Sequence, residues 1–358
     1  MAARPARRDG STAANAVFAR TPVVAAGVCG LAGLASLAPA FHGAALRESG
    51  HALAWLGAWV LAAVFGLACA SFAVQAARWS AFVPAGGRGV SWSALLRYRL
   101  AGWGVNYVTP GVQVGGEVLR VAALERVHGV ARGGAITSVL LDKLVEVTTS
   151  VTVLVLGLAA NGGLRFLRAG RIGPAVFLWA AALVATAATV VAVASGRRPF
   201  SRGVAFVLRA LPRPRPPRRA GPSRILRTVA RSETCVAAVL GRSPGIAVRA
   251  LVASVVYWAL LLGEYALICA SLGARLTLLQ VLAALAVTHV AVQLTPLPGG
   301  LGTLEASHVA VFASFGVAPA TALLVALVVR GRDVLFAALG LALAARGLLY
   351  RAVRAGGA

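Results

Sequence analysis

Charged residues are scarce in this sequence, and acidic residues are scarcer still. Only 13% of the 358 residues are Asp, Glu, Lys or Arg, and only ten residues are acidic. A soluble domain carries about a quarter charged residues, so this chain has too little charge to cover a soluble surface. The shortage excludes a soluble globular protein.

The chain also lacks cysteines at the spacing of a metal site or a disulfide framework, and it lacks the usual catalytic motifs. The four cysteines are scattered, without the spacing of metal ligands or of a disulfide framework. No phosphate-binding loop or nucleophile elbow appears, and no His, Cys and carboxylate cluster suits a metal. We therefore expect no metal and no cofactor.

Long apolar runs are present instead. Hydrophobic residues make up 59% of the chain, and its mean hydropathy is +0.82. Runs near the roughly 20 residues that cross a bilayer recur from end to end. The pattern predicts an all-α, polytopic transmembrane helical bundle with about six to eight spans and two broken elements. Full spans are expected at about 22–41, 52–75, 133–160, 173–195, 246–272 and 276–294, with a closing apolar helix over about 306–349.

The net charge of +25 is concentrated between the apolar runs. Such an excess can indicate nucleic-acid binding, but this distribution is typical of cytoplasmic loops in a bacterial inner-membrane protein. Arg78 and Trp79 are expected at the interfacial end of the second span. The predicted organisation is a cytoplasmic basic N-terminus at 1–20, a first transmembrane half at 21–195, an Arg/Pro-rich cytoplasmic linker at 196–245, a second transmembrane half at 246–349 and a basic tail at 350–358.

Two apolar stretches, 93–120 and 294–305, are interrupted by proline and glycine. Irregular backbone at membrane depth persists only where it is packed in protein or lines a watery cavity. A plain kink is the alternative for one such stretch, whereas two matched stretches favour a binding site. The residues that break the helices, or precede the breaks, are Asn106, Pro110, Gly115, Gly116, Pro296, Pro298, Gly299, Gly300 and Gly302.

The broken stretches belong to a predicted internal repeat. A shift of 187 residues aligns the Gly-Val-Ala at 129–131 with that at 316–318, and it also aligns Lys143 with Arg330 and Glu146 with Asp333. These coincidences, behind two Thr-Pro turns, predict that the chain consists of two related halves. The sequence leaves open whether the halves are parallel or inverted.

Six acidic residues lie in or beside apolar runs. A charge embedded in a membrane costs ~3 kcal/mol on insertion scales, so each needs a partner or a cavity. Lys143 can pair with Glu146, and Arg330 with Asp333, because each pair is three residues apart on a helix. Such pairs could also only hold helices together. The candidate headgroup-binding residues are Glu117, Arg120, Asp142, Lys143, Glu146, Glu264, Glu305, Arg330 and Asp333.

Two motifs carry a resemblance to a known family. GWGVNYVTPGVQVGGEVLRVAAL at 102–124 and PLPGGLGTLEA at 296–306, followed by Arg330, resemble the signatures of the lysylphosphatidylglycerol synthase transmembrane-region family, also called flippase-like domain proteins. The resemblance covers nearly the whole chain. It implies a multi-pass membrane domain that moves or presents lipids. The soluble aminoacyl-transferase domain of the namesake members is not expected here.

The sequence therefore favours a lipid flippase or lipid-handling transporter for a phosphate-bearing headgroup rather than an enzyme. The expected partners are membrane lipids, either anionic phospholipid or polyprenyl-phosphate-linked, and no nucleic acid. A homo-oligomer or a separate lipid-modifying enzyme is left open as a partner. The alternatives are a membrane-embedded transferase on a lipid-linked substrate and a non-catalytic accessory subunit of a lipid-modifying enzyme.

Overall fold

The structure is a computed structural model, and it describes residues 57–84, 89–109, 115–159, 161, 244–295 and 297–356. Every secondary-structure element among these residues is helical. The helices are α1 (Ala58–Ser80), α2 (Trp92–Val108), α3 (Gly115–His128), α4 (Arg132–Leu158), α5 (Pro244–Ser271), α6 (Leu278–Leu294), α7 (Thr303–Ser314) and α8 (Pro319–Gly356), with a 3₁₀ turn at Pro298–Gly300. The predictions for residues 1–56 and 162–243, and those for Pro110 and Pro296, lie outside the described residues.

Four of the predicted spans coincide with helices, namely α1, α4, α5 and α6. By length and composition, α1 and the Gly245–Ser271 stretch of α5 could cross a membrane, and Leu278–Gln293 is a shorter apolar helix. The closing helix predicted over 306–349 is instead divided into α7 and α8. The division lies at Gly316, whose φ of 79° ends α7.

Both predicted breaks interrupt the helices. In the first, α2 ends at Val108 and α3 begins at Gly115. In the second, the chain passes through the 3₁₀ turn, and three glycines adopt positive φ between α6 and α7. Thr109 and Thr295 each donate a side-chain hydrogen bond to the carbonyl four residues earlier, at 2.6 and 2.9 Å. The hydroxyls thereby satisfy backbone groups next to the breaks.

Helices from the N-terminal and C-terminal parts of the described chain pack on each other. α1 packs on α5, α2 packs on α8, and α6 packs on α4. α2 approaches α8 so closely that a Cβ added to Gly340 would lie 2.1 Å from the Leu100 carbonyl oxygen. Residues of all eight helices line one interior cavity.

The helix boundaries of the two halves follow nearly the same spacing. Helices α5, α6, α7 and α8 begin 186, 186, 188 and 187 residues after α1, α2, α3 and α4 respectively. The packing is reciprocal too, because α2 of the first half contacts α8 while α6 of the second contacts α4. The spacing agrees closely with the 187-residue shift of the sequence motifs.

Candidate functional site

The interior cavity is lined by many charged side chains, although most of its wall is apolar. Residues of all eight helices line it, and it includes space that is open to solvent. Aromatic and aliphatic side chains form the rest of its wall, including Phe72, Trp103, Tyr257 and Leu261. The charged residues that line it are Arg99, Glu117, Arg120, Lys143, Glu146, Arg332 and Asp333.

Asp142 is the centre of the charge network on one side of the cavity. It is fully buried on α4 and accepts hydrogen bonds from three arginines. The distances are 2.9 Å from Arg78 Nε, 2.5 Å from Arg99 Nη1 and 2.7 Å from Arg120 Nη2. Charge-assisted hydrogen bonds are the strong class of hydrogen bond, so this carboxylate ties α1, α2 and α3 to α4.

Glu146 lies one helical turn beyond Asp142 on the same face of α4 and joins the network to the cavity. Its carboxylate is 2.6 Å from Lys143 Nζ and 2.7 Å from Arg99 Nη2, and Arg78 Nη2 is 3.5 Å away. Gln75 also accepts a hydrogen bond from Arg99. The predicted Lys143–Glu146 pair is present, but Glu146 also holds an arginine that the sequence argument had not included.

Arg120 is held on three sides. It pairs with Glu117 at 3.0 Å as well as with Asp142, and its guanidinium carbon lies 3.9 Å from the centroid of the Trp79 ring. The side chain of Arg120 is only 2% exposed. We define Arg78, Arg99, Arg120, Lys143, Glu117, Asp142 and Glu146 as the cationic cluster.

The cationic cluster has an excess of positive charge. Among the described residues it contains four cations and three carboxylates. Lys143 is its most accessible cation, with a side chain 28% exposed. Only one contact of its ammonium is to a carboxylate, and an ammonium has three N–H donors. The excess charge is therefore available at the cavity wall.

A second, smaller group of charges comes from α5 and α8, and we call it the Arg332 triad. Arg332 donates to Glu264 Oε1 through Nη1 and to Asp333 Oδ1 through Nη2, the latter at 2.7 Å. The sequence had left Glu264 without an identified partner, and the structure supplies Arg332. Arg332 and Asp333 line the cavity, whereas Glu264 lies behind them, fully buried.

Arg330 does not pair with Asp333 as the three-residue spacing had predicted. Its guanidinium instead binds both Glu305 oxygens, the nearest at 2.8 Å, the Tyr107 hydroxyl at 3.0 Å and the Gly299 and Gly300 carbonyls. All three nitrogens of the guanidinium are engaged. Arg330 clamps the 3₁₀ turn and α7 to α2.

The polar residues beside the breaks connect neighbouring elements. Asn106 Oδ1 accepts a 2.6 Å hydrogen bond from the Gly116 backbone N–H, which holds the start of α3 against α2. Gly116 must be glycine because a Cβ there would lie 2.1 Å from the Gly102 carbonyl oxygen. Gly115 and Gly116 are the first two residues of α3, whereas Pro298, Gly299 and Gly300 form the 3₁₀ turn and Gly302 precedes the first residue of α7.

Sequence reasoning missed three arginines of the site. Arg99 and Arg332 were not singled out, and Arg78 was expected with Trp79 at a membrane interface. Both residues do lie in the last turn of α1, but they pack inside the protein and are among the most buried side chains of the described residues. The signal that could have found them was the need of Asp142 and Glu264 for cationic partners, although the sequence did not say which arginines would supply them.

The cationic cluster interleaves its carboxylates with cations. No group of three or more His, Cys, Asp or Glu side chains in the described part of the chain is placed to hold a metal ion. The acidic residues of the cationic cluster are instead separated by arginines.

Comparisons with known proteins agree with the resemblance. A family model described as "Lysylphosphatidylglycerol synthase TM region" matches residues 23–340. The matched range includes both broken elements and the charged residues of the cavity. None of the curated proteins and none of the solved structures compared with the chain matches it.

Proposed function

The chain belongs to the lysylphosphatidylglycerol synthase transmembrane-region family, and from that premise we propose that it binds the phosphate-bearing headgroup of a membrane lipid in the interior cavity and moves the lipid between leaflets. The proposal includes a multi-pass arrangement in the bacterial inner membrane, with the N-terminus in the cytoplasm. The lipid is an anionic phospholipid or a polyprenyl-phosphate-linked lipid. The tails stay in the bilayer, so only the headgroup needs a polar path.

The observation that carries this proposal is the excess charge of the cationic cluster. Four cations balanced by three carboxylates leave one positive charge beside the cavity. The Arg332 triad on the same cavity carries one net negative charge when both of its acids are ionised, so the positive charge of the cluster is unbalanced locally. A phosphodiester carries one negative charge and therefore neutralises the cluster when it binds.

Lys143 and Arg99 are the cations best placed to contact the phosphate. Both line the cavity, and both are joined to the same Glu146 carboxylate, at 2.6 and 2.7 Å. A phosphate entering between them would displace Glu146 from Lys143 while Asp142 keeps Arg99 in position. The negative charge of the phosphate would thus take the place beside Lys143 that the Glu146 carboxylate occupies when no ligand is bound.

The repeat gives a route for movement. We propose that the two halves are related by a pseudo-twofold axis, a relation supported by the near-constant helix spacing and by the reciprocal packing of α2 on α8 and α6 on α4. In many transporters, broken helices at matching positions of two repeats surround the substrate, and one repeat moves against the other. The contacts of Arg330 tie the second broken element to α2.

Lipid movement in proteoliposomes tests the proposal. Fluorescent phosphatidylglycerol, a zwitterionic phospholipid and a polyprenyl-phosphate analogue would be compared, with Lys143→Gln as the test variant. Arg97→Gln is the matched control, because Arg97 is an exposed cation two residues from Arg99 on α2. We expect Lys143→Gln to slow movement about tenfold, equal to about 1.4 kcal/mol, and Arg97→Gln to leave it unchanged.

The alternatives give different results. If folded wild-type protein moves none of these lipids but converts one of them to a new product, the chain is a transferase. If it does neither, and co-purifies with a lipid-modifying enzyme, it is an accessory subunit. Equal rates for wild type and Lys143→Gln would remove the cationic cluster from the transport path.

A further inference from the structure

The Arg332 triad has the opposite charge imbalance to the cationic cluster. Two carboxylates, Glu264 and Asp333, share the one guanidinium of Arg332. Counted over the described residues, the triad therefore carries one net negative charge when both acids are ionised. The triad borders the same cavity as the cationic cluster, since Arg332 and Asp333 line it.

Glu264 is the member of the triad least able to remain charged. Its side chain is fully buried on α5, and only Oε1 is bound by Arg332. Its other oxygen, Oε2, has no hydrogen-bond partner within the part of the chain that the structure describes. A buried carboxylate oxygen without a donor is costly, and a proton on it would remove both the unmet acceptor charge and the excess negative charge.

Arg332 connects this buried oxygen to the cavity. Its Nη1 faces Glu264, while Nε and Nη2 bind Asp333 Oδ1 at 3.0 and 2.7 Å. With Glu264 ionised, the triad presents a net negative charge that opposes an anion in the cavity. With Glu264 protonated, Arg332 and Asp333 form a neutral pair, and the repulsion is lost.

We infer that Glu264 is a proton-binding site whose occupancy controls the binding of the lipid phosphate through Arg332. The inference rests on the proposed function and adds the ion to which headgroup binding is coupled. One proton adds to one carboxylate, and no other bond changes. By linkage, a proton that favours phosphate binding is itself bound more tightly once the phosphate is present.

Other ionisable groups surround α5 and must be separated from Glu264 in a test. On α5 itself, Tyr265 follows Glu264 and bonds to His308 of α7 at 3.3 Å. α6 contributes His289, which bonds to Gln293. On the side of α1 and α4, Arg78 donates a hydrogen bond to Ser254 of α5. The carboxylates of Asp142 and Glu146 both pair with Arg78. Those two carboxylates each have at least two cations, whereas Glu264 has one among the described residues, Arg332, and shares it with Asp333.

The first measurement is a proton titration without lipid. Infrared difference spectra of the full-length protein with ¹³C-labelled glutamate would be recorded between about pH 5 and pH 8. We expect a glutamic-acid carbonyl band that rises as the pH falls and is absent from Glu264→Gln. The label separates glutamate from aspartate in wild-type protein, so a titrating band remains informative even if the variant folds poorly. Glutamates that stay ionised throughout the range would overturn the inference.

The second measurement is the affinity for a soluble short-chain phosphatidylglycerol over the same pH range. We expect wild-type affinity to rise as the pH falls, by at most about tenfold per pH unit for one proton. Glu264→Gln mimics the protonated state, so it should bind about tenfold more tightly than wild type at the alkaline end, without pH dependence. His308→Gln and His289→Gln should keep the wild-type pH dependence.

The outcomes separate this inference from the proposed function. Wild type and Glu264→Gln with the same pH dependence would overturn the coupling, as would loss of the dependence in Asp333→Asn alone, which would place the proton on Asp333. Phosphatidylglycerol that fails to bind at any pH counts against the proposed function for this lipid and removes the coupling with it. The infrared titration would still decide whether Glu264 binds the proton.

Discussion

Replacing Asp142 with asparagine tests whether one carboxylate holds the cationic cluster together. Asp142 is fully buried and accepts hydrogen bonds from Arg78, Arg99 and Arg120, which come from three different helices. Asparagine has nearly the same shape but no charge. The variant therefore removes the electrostatic term while it leaves the packing of α4 almost unchanged.

The magnitude follows from the three contacts. A hydrogen bond to a charged group contributes about 1.5–3 kcal/mol, so three of them sum to about 5–9 kcal/mol. Glu117 and Glu146 already contact these arginines and would take over part of the released charge. We therefore expect the cost of one broken buried ion pair, about 3–5 kcal/mol of unfolding free energy. That cost is a large part of the stability of a typical domain.

Denaturant unfolding in mixed micelles, followed by tryptophan fluorescence, measures this loss. Trp79 reports directly, because its ring contacts Arg120. Lys143→Gln is the matched control on the same helix: its ammonium is partly exposed, and its partner Glu146 keeps Arg99. The control should cost at most about 1 kcal/mol. If Asp142→Asn is no less stable than Lys143→Gln, the network around Asp142 does not stabilise the fold and the reasoning fails.

Three further predictions concern the structural contacts around the site. Arg330→Lys keeps the charge but loses the planar guanidinium that binds Glu305, Tyr107 and two carbonyls. It should lower the free energy of unfolding by about 2 kcal/mol or more and make the turn at 297–302 accessible to proteases. Tyr107→Phe removes only the 3.0 Å bond to Arg330 and should cost about 1 kcal/mol in denaturant unfolding; a cost equal to that of Arg330→Lys would contradict the shared clamp. Gly116→Ala places a Cβ 2.1 Å from a backbone oxygen, so it should lower the free energy of unfolding by about 2–3 kcal/mol. In the control Gly133→Ala, the added Cβ on α4 lies in open space and should raise the free energy of unfolding by about 0.5–1 kcal/mol. Equal unfolding midpoints for the two variants would refute the close approach of α2 and α3.

One of the two ion pairs that the sequence predicted within a helix is present, because Lys143 and Glu146 lie three residues apart and pair at 2.6 Å. Glu117 and Arg120 have the same spacing and pair at 3.0 Å, although the sequence argument had not paired them. The helical period alone brings such residues together. The same rule failed for Arg330 and Asp333, because Glu305 and two carbonyls of the 3₁₀ turn offered Arg330 a better set of acceptors.

Contacts between helices could not be predicted from spacing. Arg78 and Asp142 are 64 residues apart in sequence, and Glu264 and Arg332 are 68 apart. The sequence established that each embedded acid needs a cation, but it contains many arginines. Which arginine serves depends on how α1, α2, α5 and α8 pack, and that packing is set by close approaches such as Gly104 against α8.

The sequence by itself determined that this chain is a helical membrane protein, where two of its helices break, and to which family it belongs. These properties follow from composition, local backbone chemistry and short motifs, all of which are read along the chain. Only the tertiary structure decided that Arg78 is buried, that Arg330 is a clamp and that two oppositely charged groups border one cavity. Burial and charge pairing are set by distances between side chains far apart in sequence, and those distances arise only when the helices pack.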